Sequence, residues 1–405
     1  MGRAQVVGRA PLSACSPRCS VSWVAVLGGL LLVLVTACGS GSGAAPGGAS
    51  STSAPAPVPV TVEPAANATD VAPRAAVAAT TEGTFTEVTL TASPGGPVAG
   101  TLSPDRKRWT PNGPLAYGAT YTWGGTATGP EGGSSPVTGS FTTVAPDQTV
   151  RATLNIGDGR EVGVAAPITI QFSAPVEDKA AVERALQVRT SVPTEGSWAW
   201  LPDQDGGSRV HWRPKQYWQA GTQVDVAANL LGVPYGGGAW GREDLTTSFR
   251  IGRSQIVRAD VNSFRLVVER DGQRVMDVPA SYGLDSDPDR TTRSGIHVVT
   301  EKFQSKRMVS PQFGYDVVMG WAVRISNNGE FIHANPGSVG SQGSSNVTHG
   351  CVNLSPADAR AFYDTALYGD PVEVTGSGVD YSPRDGDIYD WVIPWDQWQA
   401  MSALR

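Results

Sequence analysis

Residues 332–355 read IHANPGSVGSQGSSNVTHGCVNLS and hold two of the chain's four histidines, His333 and His349, with Cys351, the one cysteine beyond position 38. A thiol attacks a carbonyl as its thiolate, and a free cysteine is mostly protonated at neutral pH, so a neighbouring imidazole is its natural base or ion-pair partner. Both histidines are candidates. His333 ends the run EFIH, a rigid perch, and His349 lies two residues from the thiol, a spacing at which extended side chains share a face. Gly350 between them lets a substrate approach the backbone and lets adjacent N–H groups converge on one oxygen. Cys351 also precedes a helix start, whose N–H dipoles are expected to favour thiolate and oxyanion. Nucleophile, base and oxyanion donors are the parts of acyl transfer. An inert buried cysteine fits poorly with a His-Gly flank in a polar loop. Zinc held by His333, His349 and Cys351 would lack a closing ligand and the usual paired spacing, so neither a metal nor a cofactor is expected.

The elements that must position this loop fall in residues 253–376. The run FRLVVERDGQRVMDVPAS alternates on both sides of Asp271-Gly272, a strong hairpin signal. GIHVVTEKF, VVMGWAVRIS and EFIHA supply further strands, and GDPVEVTG closes the segment. One principal helix is expected in SPADARAFYDTAL: Ser355 caps it, Pro356 sits in its first turn, Asp358 lies near its positive end, and Ala359, Phe362, Ala366 and Leu367 form an apolar stripe. The expectation is one mixed, mostly antiparallel sheet whose loop feeds into that helix. Residues 377–405 pack Trp391, Trp395 and Trp398 into eight positions. Such a patch is expected to fold back on a neighbouring domain; a sugar-binding platform is the sharper alternative.

A chain of 405 residues is too long for one core, and about three domains are expected. Upstream there is an internal repeat, in which Trp109/Trp212, Pro111/Pro214 and Gly118/Gly221 share an offset of 103 residues. Short alternating runs such as TEVTLTA, PITIQFS and TQVDVAA, separated by Gly, Pro, Asn and Asp, read as two Ig-like β-sandwiches, residues 63–149 and 150–252. The Cys…Trp…Cys pattern of true immunoglobulin domains is absent. His211 is expected to be structural, and the two units to be spacers.

Residues 1–37 carry Arg3, Arg9 and Arg18 ahead of WVAVLGGLLLVLVTA and read as an export signal. VTAC resembles a lipobox, which makes Cys38 the expected lipidation site and the membrane a partner through that lipid. Residues 38–62, rich in Gly, Ala, Ser and Pro, read as a tether of about 25 to 30 Å. Once Cys15 and Cys19 leave with the signal and Cys38 is lipidated, Cys351 is the remaining thiol of an exported protein. Loss of three arginines and no acid moves the net charge from −6 to −9, which argues against nucleic acid as a partner.

The pattern His333, then fifteen residues, then Thr348-His349-Gly350-Cys351-Val352-Asn353 resembles the signature of the L,D-transpeptidase (YkuD) family. The layout of lipoprotein signal, two Ig-like domains, catalytic domain and Trp-rich tail is similar to its mycobacterial and actinobacterial members. The resemblance implies Cys351 as nucleophile, His333 as general base, and His349 and Gly350 around the oxyanion. Tyr315, Thr348, Ala334 and Asn353 would serve substrate binding and support of the loop. Ala334 stands where relatives usually have Ser, and KRMVSPQFGY looks about ten residues shorter than the family's lid, implying a more open pocket around Met308 and Phe313. The family implies 3→3 cross-linking of peptidoglycan tetrapeptide stems, donor and acceptor, with release of the terminal D-Ala, and inhibition by carbapenems. An L,D-carboxypeptidase using the same site, or a non-catalytic wall-binding lipoprotein, are the alternatives.

Overall fold

A computed structural model describes residues 55–405. The expected export signal, most of the tether and Cys38 lie outside the described residues. Among the described residues no helix is long and apolar enough to cross a membrane.

The described residues are mainly β and build three successive cores. Around the first, Val60–Glu63, Ala78–Thr81, Arg108–Pro111 and Gly100–Leu102 form one sheet, and the long strands Thr84–Ser93 and Thr120–Thr128 organise the other. Phe85, Leu90, Trp109, Tyr121, Trp123 and Phe141 fill the space between them. Val58 joins this core and Val60–Glu63 pairs with Ala78–Thr81, so ordered structure starts inside the stretch expected to be tether. The alternation in VPVTV, set among prolines, is the strand signal responsible. In the second core, Ile168–Phe172 and Gly207–Pro214 belong to one sheet, and Gln223–Ala228 and Leu245–Ile251 to the facing one.

The repeat acquires a physical cause here. Gly100 pairs with Pro111 and Gly196 with Pro214. A Cβ on Gly100 would meet the Trp109 ring at 2.0 Å, and one on Gly196 the Trp212 ring at 1.9 Å. Each indole therefore lies over a glycine of the adjoining strand, which ties the W-x-P motif to a bare backbone opposite.

The third core differs from the single sheet expected, because two mixed sheets enclose it. Gln273–Pro279, Arg265–Arg270, Gln255–Asp260, Pro371–Thr375 and Gly295–Val298 form the first, with Gln255–Asp260 and Pro371–Thr375 parallel. Glu301–Ser310, Tyr315–Arg324, Phe331–Ala334 and Val352–Leu354 form the second, its last pair parallel. The run GIHVVTEKF breaks after Val298 and crosses from one sheet to the other. At the predicted hairpin Asp271 and Gly272 have φ of 49° and 78°, the left-handed pair that a tight two-residue turn requires. The helix Pro356–Thr365 starts as expected, the Ser355 hydroxyl accepting from the Asp358 N–H at 3.2 Å. Its buried Ala359 and Phe362 share a core with Val257, Leu266, Ile332 and Leu354 from the two sheets.

The second and third cores are pressed together. Gly163 N donates to Tyr368 O at 2.7 Å and Ala165 N to Gly369 O at 2.8 Å. A Cβ on Gly163 would lie 2.3 Å from Asp370 N, so only glycine permits the approach. Arg253 grips Asp370 with both guanidinium branches, at 2.7 and 2.6 Å. The segment beyond Thr375 then returns to the second sandwich, as expected. Trp398 is fully buried against Ala199, Leu201, Tyr381 and Tyr389. The Arg213 guanidinium lies 4.8, 5.2 and 4.8 Å from the ring centres of Trp391, Trp395 and Trp398. Those indoles are occupied by a cation and a core, which overturns the sugar-platform alternative. His211 is structural, its Nδ1 held 3.0 Å from Asp390 of the same segment.

Candidate active site

The parallel pairing of Phe331–Ala334 with Val352–Leu354 decides the geometry. Its register sets Ile332 beside Val352 and His333 beside Asn353. In-register residues of a parallel pair share a face, and alternate residues return to it, so Cys351 and His333 come to the same side of the sheet. Both line one cavity of about 420 Å³, with Met308, Tyr315, Thr348 and Asn353 among its walls. His333 is 3% exposed and Cys351 9%.

The imidazole has a defined tautomer. His333 Nδ1 lies 3.0 Å from the carbonyl oxygen of Ala334, and a carbonyl only accepts, so Nδ1 carries the hydrogen and Nε2 presents its lone pair. Ala334 acts through its backbone, and a serine hydroxyl at this position is not needed to orient the ring. Burial lowers the affinity of His333 for a second proton, and only the Ala334 hydrogen bond pulls the other way.

The thiol differs from the sequence expectation. Cys351 Sγ lies 3.6 Å from the carbonyl of Gly329 and is pushed up to about 12, mainly by burial. The strand Val352–Leu354 and the cap Ser355 separate Cys351 from the helix, so the helix dipole does not favour a thiolate. At rest the site holds a neutral thiol and a neutral imidazole.

His349 and the thiol do not face one another in a hydrogen bond. The exposed His349 ring leans on Phe313 and Tyr315, with centroids 4.8 and 5.3 Å away. Tyr315 belongs to the long hairpin Glu301–Ser310 and Tyr315–Arg324, in which Ser310 pairs with Tyr315 across a four-residue tip. Met308 and Val317 of the same hairpin wall the cavity. Burial raises the Tyr315 hydroxyl, and the nearby Cys351 adds to that.

The remaining predicted residues hold the loop. Thr348 Oγ1 donates to the Cys351 carbonyl at 2.6 Å. Gly350 has a φ of 106°, outside the range most side chains tolerate. Asn353 Nδ2 donates to Ser338 Oγ at 3.2 Å, while its Oδ1 is buried without a partner. That oxygen keeps its acceptor capacity free at the cavity wall.

Sequence reasoning missed the supports on the far side of the loop. Thr292 Oγ1 donates to the Gly350 carbonyl at 2.9 Å. Asn346 donates to Val261 O and accepts from Tyr282 N, and Ser281 Oγ donates to Ser345 O. These contacts join residues far apart in sequence through single polar side chains, which leave no periodic trace. A lone Asn in a Ser-rich loop was the one available signal, since Asn satisfies backbone groups on both sides.

A family model described as the L,D-transpeptidase catalytic domain matches residues 254–374, and one described as a bacterial Ig domain matches residues 68–234. L,D-transpeptidase 5 of Mycobacterium tuberculosis is 54% identical over 346 residues, covering 85% of this chain and 77% of that protein. L,D-transpeptidase 2 of the same species is 39% identical over 330 residues, covering 80% and 79%. A solved L,D-transpeptidase in complex with imipenem superposes with a TM-score of 0.48 at 33% identity, covering 57% of this chain and 100% of that one.

Proposed function

This chain belongs to the L,D-transpeptidase family, and from that premise we propose that it forms 3→3 cross-links between meso-diaminopimelate residues of peptidoglycan stems through a thioester on Cys351. The carrying observation is that Cys351 and His333 line one cavity while Nδ1 of His333 is committed to the Ala334 carbonyl. The free Nε2 takes the thiol proton as Sγ attacks the carbonyl of a tetrapeptide donor. The C–N bond to the terminal D-Ala then breaks, the proton passes to the departing amine, and the thioester remains. The side-chain amine of an acceptor stem attacks next, His333 removes its proton, and the thiol is restored. Gly350 and His349 border the developing oxyanion, Tyr315 and Asn353 contact substrate, and Thr348 holds the nucleophile's backbone.

A strained β-lactam carbonyl offers the same thiol the same acylation, so carbapenems are inhibitors in this reading. The further layout is an exported protein anchored by lipid at Cys38 on the outer face of the cytoplasmic membrane, tethered by the part of residues 38–62 that precedes the first core. Two Ig-like spacers, residues 63–149 and 150–252, carry a catalytic domain, residues 253–376, with a closing extension, residues 377–405. The expected signal pattern and the W-x-P repeat support this reading.

Residues 39–405 and their Cys351→Ala variant, incubated with a disaccharide-tetrapeptide and followed by mass spectrometry, test the proposal. A dimer lacking one D-Ala, absent with the variant, is expected. Release of D-Ala without dimer would move the reading to an L,D-carboxypeptidase, and intact substrate in both would sink the enzymatic reading in favour of a wall-binding protein.

A further inference from the structure

A buried charged cluster lies behind the Cys351 loop and takes no part in the chemistry above. Glu330 is 3% exposed and sits beneath the loop, since a Cβ on Gly350 would lie 3.6 Å from its side-chain stem. Its neighbour in sequence holds the thiol: the Gly329 carbonyl faces Sγ at 3.6 Å. The Glu330 carboxylate accepts from Ser326 Oγ at 2.9 Å, Arg293 N at 3.2 Å and Arg293 Nη1 at 3.4 Å.

His297, wholly buried in the strand Gly295–Val298, completes the cluster, its ring stacked on Tyr381 at 4.2 Å. His297 Nε2 lies 2.8 Å from the Arg293 carbonyl, which only accepts, so Nε2 carries a hydrogen. Nδ1 is buried with no hydrogen-bond partner, and Glu330 Oε2 stands 3.5 Å away. A bare lone pair facing a carboxylate in a dry interior is repulsive, and a proton between the two removes the repulsion. The surrounding charges point the same way. Arg293 also faces Asp385, with Nε 2.8 Å from Oδ1, and burial keeps Tyr381 neutral. Arg324, the other cation near the thiol, is paired with Glu301 at 2.5 Å, so Arg293 against Glu330 and Asp385 leaves one negative charge in the cluster, and one more proton cancels it.

We propose that His297 and Glu330 share one proton and act as a positioning pair, pinning Glu330 under Gly350 and cancelling its charge at Cys351. The pair touches neither substrate nor the reacting atoms, and its proton stays in place through the cycle. The inference rests on Cys351 being the nucleophile of the proposed reaction.

The test uses residues 39–405 carrying His297→Gln, Glu330→Gln or both, with circular dichroism as the check of folding. Iodoacetamide alkylation of Cys351 reads the thiol without any peptidoglycan, and kcat and KM on the tetrapeptide are read separately. Glutamine keeps a donor for the Arg293 carbonyl but holds no titratable proton. His297→Gln is expected to slow alkylation about tenfold at pH 8, because an uncompensated like charge now opposes the thiolate, and to lower kcat with KM unchanged. The double variant is expected to recover to within about threefold of the parent, the charge having gone with its partner. Glu330→Gln alone is expected to alkylate at least as fast as the parent, which keeps the proposal open to refutation should His297→Gln fail to fold. Unchanged alkylation in folded His297→Gln, a double variant no faster than the single one, or slowed alkylation in Glu330→Gln would each reduce the pair to packing. Alkylation as expected with no dimer from the parent would uphold the pair and remove the transpeptidase reading instead.

Discussion

Replacing His333 by alanine separates two descriptions of the resting site. The thiol faces a carbonyl and is pushed up to about 12, while burial lowers the imidazole's affinity for a second proton, so the proton rests on sulfur. At pH 7.5 such a thiol is thiolate in about one molecule in 30,000, against about one in ten for a free cysteine, a deficit of about 3.5 decades. A more basic thiolate is also more nucleophilic, and a Brønsted slope of about 0.45 returns about 1.6 decades of that deficit. Alkylation of Cys351 by iodoacetamide should therefore run about a hundredfold slower than that of free cysteine. Its rate should climb about tenfold per pH unit to beyond about pH 10. Since His333 holds no sulfur proton at rest, His333→Ala should leave alkylation within about threefold of the parent. Turnover of a tetrapeptide stem should instead fall by about 10² to 10⁴, the usual worth of a general base. Intact-mass time courses of both proteins across the pH range measure the first quantity, and dimer formation the second. A parent rate that levels off near neutral pH, or a variant alkylated more than about tenfold slower, would refute the neutral pair and put a thiolate–imidazolium pair in its place.

The pH dependence of kcat/KM follows from the same groups. A histidine whose protonation is disfavoured by burial stays neutral to lower pH than usual, so the acid limb should lie below the ordinary imidazole value of 6.5, and a limb above it would contradict the burial of His333. Ala334→Ser should change kcat/KM by less than about threefold, because the ring is oriented by a backbone carbonyl; a large gain would show that a hydroxyl matters. Trp398→Ala removes a fully buried indole, its bond to the Ser197 carbonyl and one wall around Arg213, and should cost about 3 to 5 kcal/mol in denaturant unfolding. A loss below about 1 kcal/mol would mean that the returning segment contributes little to the joint.

The site was legible because the chain concentrates it. His333 lies on one strand and Cys351 immediately precedes the adjacent parallel strand, the two joined by one loop, so their proximity in sequence mirrors their proximity in space. The hairpin at Asp271-Gly272 and the Ser355 cap were legible for a similar reason, each being fixed by a few consecutive residues. The partition into two sheets was not, because the crossing at Val299 and Thr300 has no Gly or Pro to announce it and β-branched residues continue through it. The thiolate expectation failed on distance: three strand residues and a cap carry the helix start away from the sulfur, and burial then outweighs the smaller lowering by the charge of Arg324. Thr292, Asn346 and His297 escaped notice because each acts on a partner that only the tertiary fold brings near.

The segment that encloses Arg213 and pairs with His211 comes later in the chain than both bodies it fastens. Assembly therefore has an order. The glycine-lined contact between Gly163 and Tyr368 can form once Pro371–Thr375 has joined its sheet, while Arg213 still lacks its aromatic cage and Ala199 and Leu201 are still uncovered. For that interval the second sandwich shows an uncovered apolar strand, and exposed apolar surface is what makes incompletely folded species prone to aggregate. Docking of the segment covers that strand with Trp398, cages Arg213 and pairs His211 with Asp390, so this indole works as a seal over the second sandwich.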